Sequence, residues 1–488
     1  MKKDYLFIPA IIVFSAYFIY RLVDQSQMLW QFPLDFTNDW ASYIAQLHFL
    51  KVCGFHAYCP YWFNGLTTFT LTPPGWFYFT LPLYALFGNI LYATYSSMVI
   101  IFIISFVASI VLGQLNSLSK IKSILLFSVL FMNANIIGTY VRQGRITELF
   151  GLMLFYNFAL LVFYYKDKLF TGKFILIPIL LLLLILSNIP FAAIALILLA
   201  GLFLASNKQQ KFIIILSVIF PVAATAFWWL PFLHGLPASL AAHLENNFAG
   251  YLLHFNKDTL FINLAATIPA AIFLATVLIL AVRQYLKKND ILFYLPILII
   301  ALLIISRAIV FIPILKSIYP DVYFSLFVFL TTYLFLQVRS RHKIILLALL
   351  FVTCALLSIA LSHYHTPYFA SNTELQKDIL SALPEINDKF LILTTNPEIY
   401  SKALYAYAAI YHAKSTPSGW HASINYELYQ RLSLLGKTFM TADCTELKNK
   451  LHELSANEIL STGDTCNKLA SCNFEKTYQK QQICIYGA

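Results

Sequence analysis

LYATYSSMVIIFIISFVASIVLGQ, residues 91–114, contains no Asp, Glu, Lys or Arg. A helix rises 1.5 Å per residue, so a bilayer core about 30 Å thick needs roughly 20 apolar residues, and this run predicts a transmembrane helix. The whole 488-residue chain has the same character, since 60% of it is hydrophobic and 11% is charged. Soluble domains are about 45 to 50% apolar and about 25% charged, so a water-soluble protein is excluded.

Similar apolar runs bring the number of predicted spans to eleven. The first, from about Tyr5 to Tyr20, follows Lys2 and Lys3 and has no small-residue cleavage site after it, so we expect an uncleaved anchor. The other predicted spans lie at 91–114, 123–140, 148–165, 174–187, 190–205, 212–232, 259–282, 291–306, 320–337 and 344–362.

Positive charges predict the orientation of these spans. If the N-terminus lies inside, the inner segments carry fifteen Lys and Arg residues and the outer segments of the membrane part carry seven. Short cytoplasmic loops collect Lys and Arg, so we expect a cytoplasmic N-terminus and an extracytoplasmic C-terminus. The formal net charge of +11 is therefore a consequence of topology, and nucleic acid is not expected as a partner.

Six of the seven cysteines fall in segments that are predicted to lie outside. They are Cys53 and Cys59 in the first outer loop and Cys444, Cys466, Cys472 and Cys484 near the C-terminus. An even number of cysteines in an oxidising compartment predicts disulfides, most simply one in the loop and two in the tail. Free thiols are the alternative, and metal binding is less favoured because CxxC and HExxH motifs are missing.

The composition changes at about residue 364, where charged residues return. We therefore expect residues 1–363 to form the membrane domain and residues 364–488 a small soluble α/β domain. Residues 389–395 predict a strand, and Asn396-Pro397-Glu398 predicts the start of a helix that reaches His412. Further helices are predicted near 424–436 and 443–455, and strands near 438–441, 457–461 and 482–486. Without a glycine-rich phosphate loop, this domain is expected to be a lid or docking module.

The first outer loop, residues 21–89, concentrates polar residues against the apolar background. Loops longer than about 15 residues usually have a function or a structure of their own. This one holds Asp24, Asp35 and Asp39, the amphipathic stretch Trp40–Lys51 and the apolar stretch Gly75–Phe87. We expect the two stretches to form helices on the membrane surface, where Trp and Tyr are favoured.

Residues 20–150 resemble a known superfamily. An acidic residue soon after the first span, a surface helix, the W-x-x-G element Trp62–Gly65 and an apolar helix led by Pro73 and Pro74 look like the first outer loop of C-type (GT-C) glycosyltransferases. These polytopic enzymes include oligosaccharyltransferases, protein O-mannosyltransferases and aminoarabinose transferases. PYWFNG (60–65), PPGWFYFTLPLYALFG (73–88) and the R-x-x-E element 145–148 are most similar to multi-span proteins labelled 6-pyruvoyl-tetrahydropterin synthase-related. The histidine cluster of the pterin enzyme is missing, so pterin chemistry is not expected.

The resemblance implies a helical GT-C membrane fold and transfer of a sugar from a polyprenyl-phosphate donor to a glycan, lipid or protein acceptor on the extracytoplasmic face. This reaction needs a carboxylate for the acceptor proton and cations for the leaving phosphate. Asp39 is the candidate base, and Asp35 and Glu148 are further catalytic candidates. Arg142 and Arg145 are the candidates for binding the lipid phosphate. Asp35 and Asp39 are also the candidate ligands of a divalent cation, Mg²⁺ or Mn²⁺.

These candidates have structural alternatives. Asp39 precedes a predicted helix and would be a good N-cap, and Arg145 with Glu148 would make an ordinary ion pair at a helix start. Two other functions stay open: a transporter or flippase of a polar lipid or solute, and an inactive GT-C-like scaffold. Transporters usually carry ionisable groups near the bilayer midplane, and the interiors of the eleven predicted spans contain none.

Overall fold

Apolar helices make up most of the computed structural model, which describes residues 4–35, 39–233, 257–283, 285–316, 318–338, 341–420, 425–441 and 443–487. In the membrane part these are α1 (Ile8–Gln25), α2 (Trp40–Val52), α3 (Gly75–Phe87), α4 (Ile90–Leu115), α5 (Lys120–Phe131), α6 (Ala134–Arg142), α7 (Ile146–Lys166), α8 (Leu176–Ser187), α9 (Ile189–Ala205), α10 (Lys208–Ala224), α11 (Ala226–Leu233), α12 (Lys257–Val282), α13 (Lys288–Ile305), α14 (Pro313–Lys316), α15 (Pro320–Leu336) and α16 (Arg341–His365).

The eleven predicted spans all coincide with apolar helices of the described residues. Five helices, those containing α1, α4, α7, α13 and α16, are long and apolar enough to cross a membrane. The bent pairs α5–α6 and α10–α11 bring the number to seven if each pair is one span, and α8, α9, α12 and α15 are shorter apolar helices. Several apolar spans of this kind make the chain an integral membrane protein, while the orientation of its termini stays a prediction.

Helix α7 occupies the centre of the membrane part. Its most apolar window is 89% buried, whereas the corresponding windows of the other four long helices are 28–33% buried. The charged residues of α7 lie at its two ends, Glu148 in the first turn and Lys166 in the last. Lys166 pairs with Asp290 of α13, so the other end of the helix, with Glu148, carries a separate group of charges.

The two bent pairs break at identifiable residues. The axes of α5 and α6 differ by 45°, and Asn133 begins α6 by accepting a hydrogen bond from the backbone N–H of Ile136. Residues 137–142 then form π-helical turns, which are rare and frequently lie at functional sites. The 68° bend between α10 and α11 lies at Thr225, whose hydroxyl donates to the carbonyl of Pro221. A side chain that bonds back onto the helix in this way commonly bends it.

Helix α2 lies inside the protein. Ten of its residues, from Trp40 to Leu50, are buried, and it packs against a helix of the C-terminal domain. Its apolar and polar residues are therefore both covered by other elements, unlike those of a helix lying free on a membrane surface. After α2, a short hairpin of β1 (Tyr58–Cys59) and β2 (Leu66–Thr67) leads to α3.

The C-terminal domain is a small α/β unit, as the sequence predicts. Its elements are α17 (Glu374–Ala382), β3 (Phe390–Ile392), α18 (Ser401–His412), α19 (Tyr426–Thr441), α20 (Cys444–Glu453), β4 (Glu458–Thr462), α21 (Asp464–Ser471), β5 (Glu475–Lys480) and β6 (Ile483–Gly487). The sheet order is β3-β4-β6-β5, with β3 and β4 parallel and the other pairs antiparallel.

Two local predictions for this domain are wrong. The helix predicted from Asn396 begins at Ser401, because the Asn396 side chain closes a turn by accepting from the N–H of Glu398 at 2.9 Å. Residues 438–441, predicted as a strand, continue α19, whose Leu435 and Phe439 are spaced to face the core together.

The predicted arrangement of disulfides is confirmed. Cys53–Cys59 lies in the first loop, and Cys444–Cys472 and Cys466–Cys484 lie in the C-terminal domain. Cys444–Cys472 ties the start of α20 to the end of α21, while Cys466–Cys484 ties α21 to β6.

Removing Cys444–Cys472 is expected to destabilise the protein more than removing Cys53–Cys59. The sequence separations are 28 and 6 residues, and loop-closure entropy then predicts losses of about 3.5 and about 2 kcal/mol. Unfolding of the two double Cys→Ala variants in detergent, both without reductant, measures the difference. Equal losses, or a larger loss for Cys53–Cys59, would contradict the prediction.

Candidate active site

Asp39 lies where three segments meet: the first outer loop, the second predicted outer loop (residues 141–147, between the predicted spans 123–140 and 148–165) and the C-terminal domain. Its backbone N–H donates to the carbonyl of Gln143 in the second loop. Its carboxylate accepts a hydrogen bond of 3.1 Å from the indole N–H of Trp420, which follows α18 in the C-terminal domain. Asp39 occupies the N-cap position of α2, yet its side chain makes no capping hydrogen bond. The alternative of a purely capping role is therefore not supported, and the carboxylate is directed to the domain boundary.

Tight packing fixes the second loop beside Asp39. The indole N–H of Trp40 donates to the carbonyl of Val141 at 2.9 Å. Gly144 has φ +78°, and a Cβ at this position would lie 2.5 Å from the ring of Trp40. The positive φ and the lack of space for a Cβ both require glycine at this position. The close approach of Gly144 to Trp40 places Arg145 next to the first turn of α2.

Arg145 lies between two carboxylates. Its guanidinium is 2.6 Å from Glu148 and 3.4 Å from Asp321, and all three side chains are at most 13% exposed. The ring of Tyr319 covers the guanidinium at 4.1 Å. The expected Arg145–Glu148 pair is thus present, and Asp321 adds a second acid. Asp321 is not among the candidates predicted from sequence, although it is an acidic residue at the start of an otherwise apolar span.

Arg142 and Asp35 form a second buried ion pair, at 2.6 Å. Arg142 also donates to the carbonyl of Tyr368 in the segment that joins α16 to the C-terminal domain. This joining segment, residues 366–372, is further held by Arg21, which donates to the carbonyls of Thr366 and Pro367. Arg142 therefore lies at the junction of the membrane part and the C-terminal domain.

Two polar atoms of this cluster are buried without a hydrogen-bond partner among the described residues. They are Nη1 of Arg142 and Oε2 of Glu148. Buried polar groups are nearly always paired, and exceptions call for an explanation such as a ligand. One guanidinium N–H and one carboxylate oxygen of the cluster are therefore buried without a partner among the described residues.

The C-terminal domain places Lys402 and Tyr400 near Asp39. Burial lowers the pKa of the Lys402 ammonium, and the negative charge of Asp39 partly opposes this effect. Burial, together with the Asp39 charge, raises the pKa of Tyr400 to about 12. Lys402 donates to the carbonyl of Trp420 at 3.2 Å and so supports the residue that bonds to Asp39. No sequence motif marks these three residues, which the fold alone brings to the carboxylate.

A tight turn of the first loop docks on the same part of the C-terminal domain. The N–H of Phe63 donates to the carbonyl of Ser418, and the N–H of Thr416 donates to the carbonyl of Tyr61. The ring of Phe63 lies against Gly419, where a Cβ would be 2.4 Å from it. Gly419 therefore allows the close approach that brings the neighbouring Trp420 to Asp39.

Replacing Gly419 by alanine is expected to destabilise the protein by about 1 to 3 kcal/mol, since the new Cβ overlaps the Phe63 ring. Gly436 is a matched control, because it lies in α19 with nothing within 4 Å of its Cβ position. Gly436→Ala should stabilise by about 0.5 to 1 kcal/mol, as alanine favours a helix. Unfolding of the two variants measures both effects, and a neutral Gly419→Ala would show that the turn does not dock this tightly.

Asp35 and Asp39 stay the predicted metal ligands, and the described residues do not by themselves complete a divalent-cation site around them. Asp35 is paired with Arg142, and the described residues contain no group of three His, Cys, Asp or Glu side chains placed to hold a metal ion. A hard cation prefers six or more oxygen ligands, so the described donors alone are too few.

Solved structures of two membrane glycosyltransferases resemble this chain, whereas no family model and no curated protein sequence matches it. The Archaeoglobus fulgidus oligosaccharyltransferase tethered to an acceptor peptide superposes with a TM-score of 0.57 at 12% identity, over 98% of this chain and 74% of that one. The archaeal enzyme AglB from the same organism, in complex with an inhibitory peptide and a dolichol-phosphate, gives 0.55 at 11% identity, over 92% and 69%.

The second enzyme is the arabinofuranosyltransferase AftD from Mycobacteria. It gives a TM-score of 0.54 at 12% identity, over 100% of this chain and 40% of its own length, so this chain spans less than half of AftD. Identities this low establish the fold and leave the substrates open. The chain has the fold of the GT-C polytopic membrane glycosyltransferases, which confirms the fold class predicted from its sequence.

Proposed function

We propose that the protein transfers a sugar from a polyprenyl-phosphate donor to an acceptor hydroxyl on the extracytoplasmic face of the membrane. The observation that carries the proposal is the position of Asp39, whose carboxylate lies at the boundary of the membrane and C-terminal domains without capping α2. The GT-C fold supports the reaction class. The resemblance to the 6-pyruvoyl-tetrahydropterin synthase-related group stays a prediction.

In the proposed reaction, Asp39 acts as the general base. The acceptor O–H gives its proton to the carboxylate as its oxygen attacks the anomeric carbon of the donor sugar. The bond between that carbon and the phosphate oxygen breaks, and the electron pair leaves with the polyprenyl phosphate. General-base assistance of this kind contributes about 10² to 10⁴ in rate. The hydrogen bond from Trp420 orients the carboxylate and leaves its second oxygen for the acceptor.

Arg142 and Arg145 are assigned to the leaving phosphate. Arg142 has a buried Nη1 without a partner among the described residues, and an N–H of this kind is suited to a phosphate oxygen. Arg145 lies three residues after Arg142, and its two carboxylate partners hold its guanidinium in one orientation. Glu148, with its unpartnered Oε2, is assigned to an acceptor or sugar hydroxyl. Asp35 then acts by holding Arg142.

A transfer assay tests the proposal. The purified full-length chain, reconstituted in liposomes, is given radiolabelled polyprenyl-phosphate hexose or pentose and an extract of cell-envelope glycans. We expect label to move from the lipid to a water-soluble or protein product, and we expect no transfer from the corresponding nucleotide sugar. Movement of intact lipid-linked sugar between leaflets without transfer would instead support the flippase alternative. Absence of both activities would support an inactive scaffold.

A further inference from the structure

A cavity of about 300 Å³ lies between the second half of α2 and the β1–β2 hairpin, beside the start of α19. Its wall contains four aromatic rings, four threonines and two side-chain amides. None of the described residues that line it is Asp, Glu, Lys, Arg or His. The aromatic residues are Phe49, Trp62, Phe63 and Phe69. The wall thus combines flat apolar faces with neutral hydrogen-bonding groups.

One lining residue, Trp62, has a polar group without a hydrogen-bond partner among the described residues. Trp62 is fully buried, and within the described parts of the chain its indole N–H has no hydrogen-bond acceptor. An indole can only donate, so the group that completes it must bring an acceptor oxygen to this N–H. Buried Trp N–H groups usually have such a partner, which makes this one a sign of an occupant.

The wall is also held in a strained conformation. Phe63 and Phe69 have φ angles of +56° and +59°, and Asn64 has +61°. Left-handed backbone at non-glycine residues persists where surrounding contacts impose it, and it clusters at ligand sites. The contacts here are the docking of Phe63 on the C-terminal domain and a hydrogen bond of 3.0 Å from the Asn64 amide to the carbonyl of Leu454. Contacts within the protein therefore fix the conformation of the cavity wall without a bound ligand.

We propose that this cavity binds a neutral sugar unit of the acceptor glycan. The C–H face of a sugar ring packs on aromatic rings, and its hydroxyls can accept from Trp62 and exchange hydrogen bonds with the threonines and with the amides of Gln46 and Asn425. A phosphate would need cations, and the described wall has none. The proposal rests on the proposed function for its assignment to the acceptor.

The distance from Asp39 supports the acceptor rather than the donor. Gln46, the lining residue nearest to Asp39 along α2, is seven positions further on. At 1.5 Å per residue this is about 10 Å along the helix. The sugar being transferred must have its anomeric carbon beside the base, so a unit in this cavity lies further along the acceptor chain. Binding energy from such a remote unit would position the reacting hydroxyl.

Saturation-transfer NMR with neutral methyl trisaccharides tests the site on the full-length protein, in a detergent without a sugar headgroup. We expect at least one trisaccharide to bind and phosphorylated monosaccharides not to bind at the cavity. Trp62→Phe, which removes the N–H and keeps a ring, should weaken this binding about tenfold. Phe49→Leu should weaken it at least about threefold. Trp30→Phe is the matched control, because Trp30 is 75% exposed and lies outside the cavity.

Several results would overturn the assignment. These are the failure of every neutral trisaccharide to bind, equal binding by Trp62→Phe and Phe49→Leu variants that unfold like the parent, and displacement of the trisaccharide by a short-chain polyprenyl-phosphate hexose. Two outcomes separate this inference from the proposed function. Trisaccharide binding without transfer by the parent would contradict only the proposed function, and transfer without trisaccharide binding would contradict only the cavity.

Discussion

Replacing Asp39 by alanine is expected to lower kcat for sugar transfer by about 10² to 10⁴-fold, the usual contribution of a general base. The melting temperature should change little, because the Asp39 side chain caps no helix and its hydrogen bond from Trp420 lies at the domain boundary. Initial rates with a polyprenyl-phosphate sugar, together with thermal unfolding of the same sample, measure both quantities. Asp39→Asn should lose the same activity, since an amide cannot accept the proton.

Asp443 provides the control for this variant. It is the N-cap of α20, and its side chain accepts from the N–H of Glu446 at 2.9 Å. Asp443→Ala should therefore destabilise by about 1 kcal/mol and leave transfer intact. If Asp39→Ala behaved in this way, with loss of stability and full specific activity, Asp39 would be a structural residue and the proposed mechanism would be wrong.

Replacing Arg145 by methionine should destabilise the protein by about 3 to 5 kcal/mol. The substitution keeps the apolar length of the side chain and leaves the buried carboxylates of Glu148 and Asp321 without their cation. Removing one partner of a buried ion pair is costly because an unpaired charge stays in a poorly solvated place. Denaturant or thermal unfolding in detergent measures the loss.

Arg431 is the matched control for Arg145. It pairs with Glu427 at the same distance, 2.6 Å, but the two side chains are 46% and 76% exposed. Arg431→Met should cost no more than about 0.5 kcal/mol. A triple variant with Arg145→Met, Glu148→Gln and Asp321→Asn should recover part of the stability, because the uncompensated charges are gone. An Arg145→Met protein as stable as the parent would show that the cluster is not buried as described.

The membrane helices could be predicted from sequence because a bilayer imposes a simple requirement on composition and length. The run at 91–114 needs no knowledge of its neighbours to form a helix, and the structure places α4 over it. The disulfide arrangement was predicted from the side of the membrane expected for each cysteine, and the three disulfides agree with it. Helix and strand boundaries in the C-terminal domain were less predictable. At Asn396 a local side-chain hydrogen bond competes with helix formation, and the sequence pattern alone does not decide between them.

The candidate site was predictable only in part. The Arg145–Glu148 pair is local, three residues apart, and the sequence predicted it. The partners of Asp39 and Asp35 are distant in sequence: Trp420 is 381 positions from Asp39, and Arg142 is 107 positions from Asp35. Such contacts depend on how helices pack and on where the C-terminal domain docks. Asp321, Lys402 and Trp420 carry no motif, so only the folded chain identifies them.

The pairing of Asp39 with Trp420 sets an order of events during synthesis. Trp420 lies 381 positions after Asp39 and must be translated before the contact can form, which takes roughly 20 to 80 seconds at about 5 to 20 residues per second. During that interval the membrane helices can assemble while the Asp39 carboxylate lacks the hydrogen bond from Trp420. A nascent chain that stops before residue 420 would hold its helical scaffold without the residue that orients this carboxylate, so the site is completed only after Trp420 has been made.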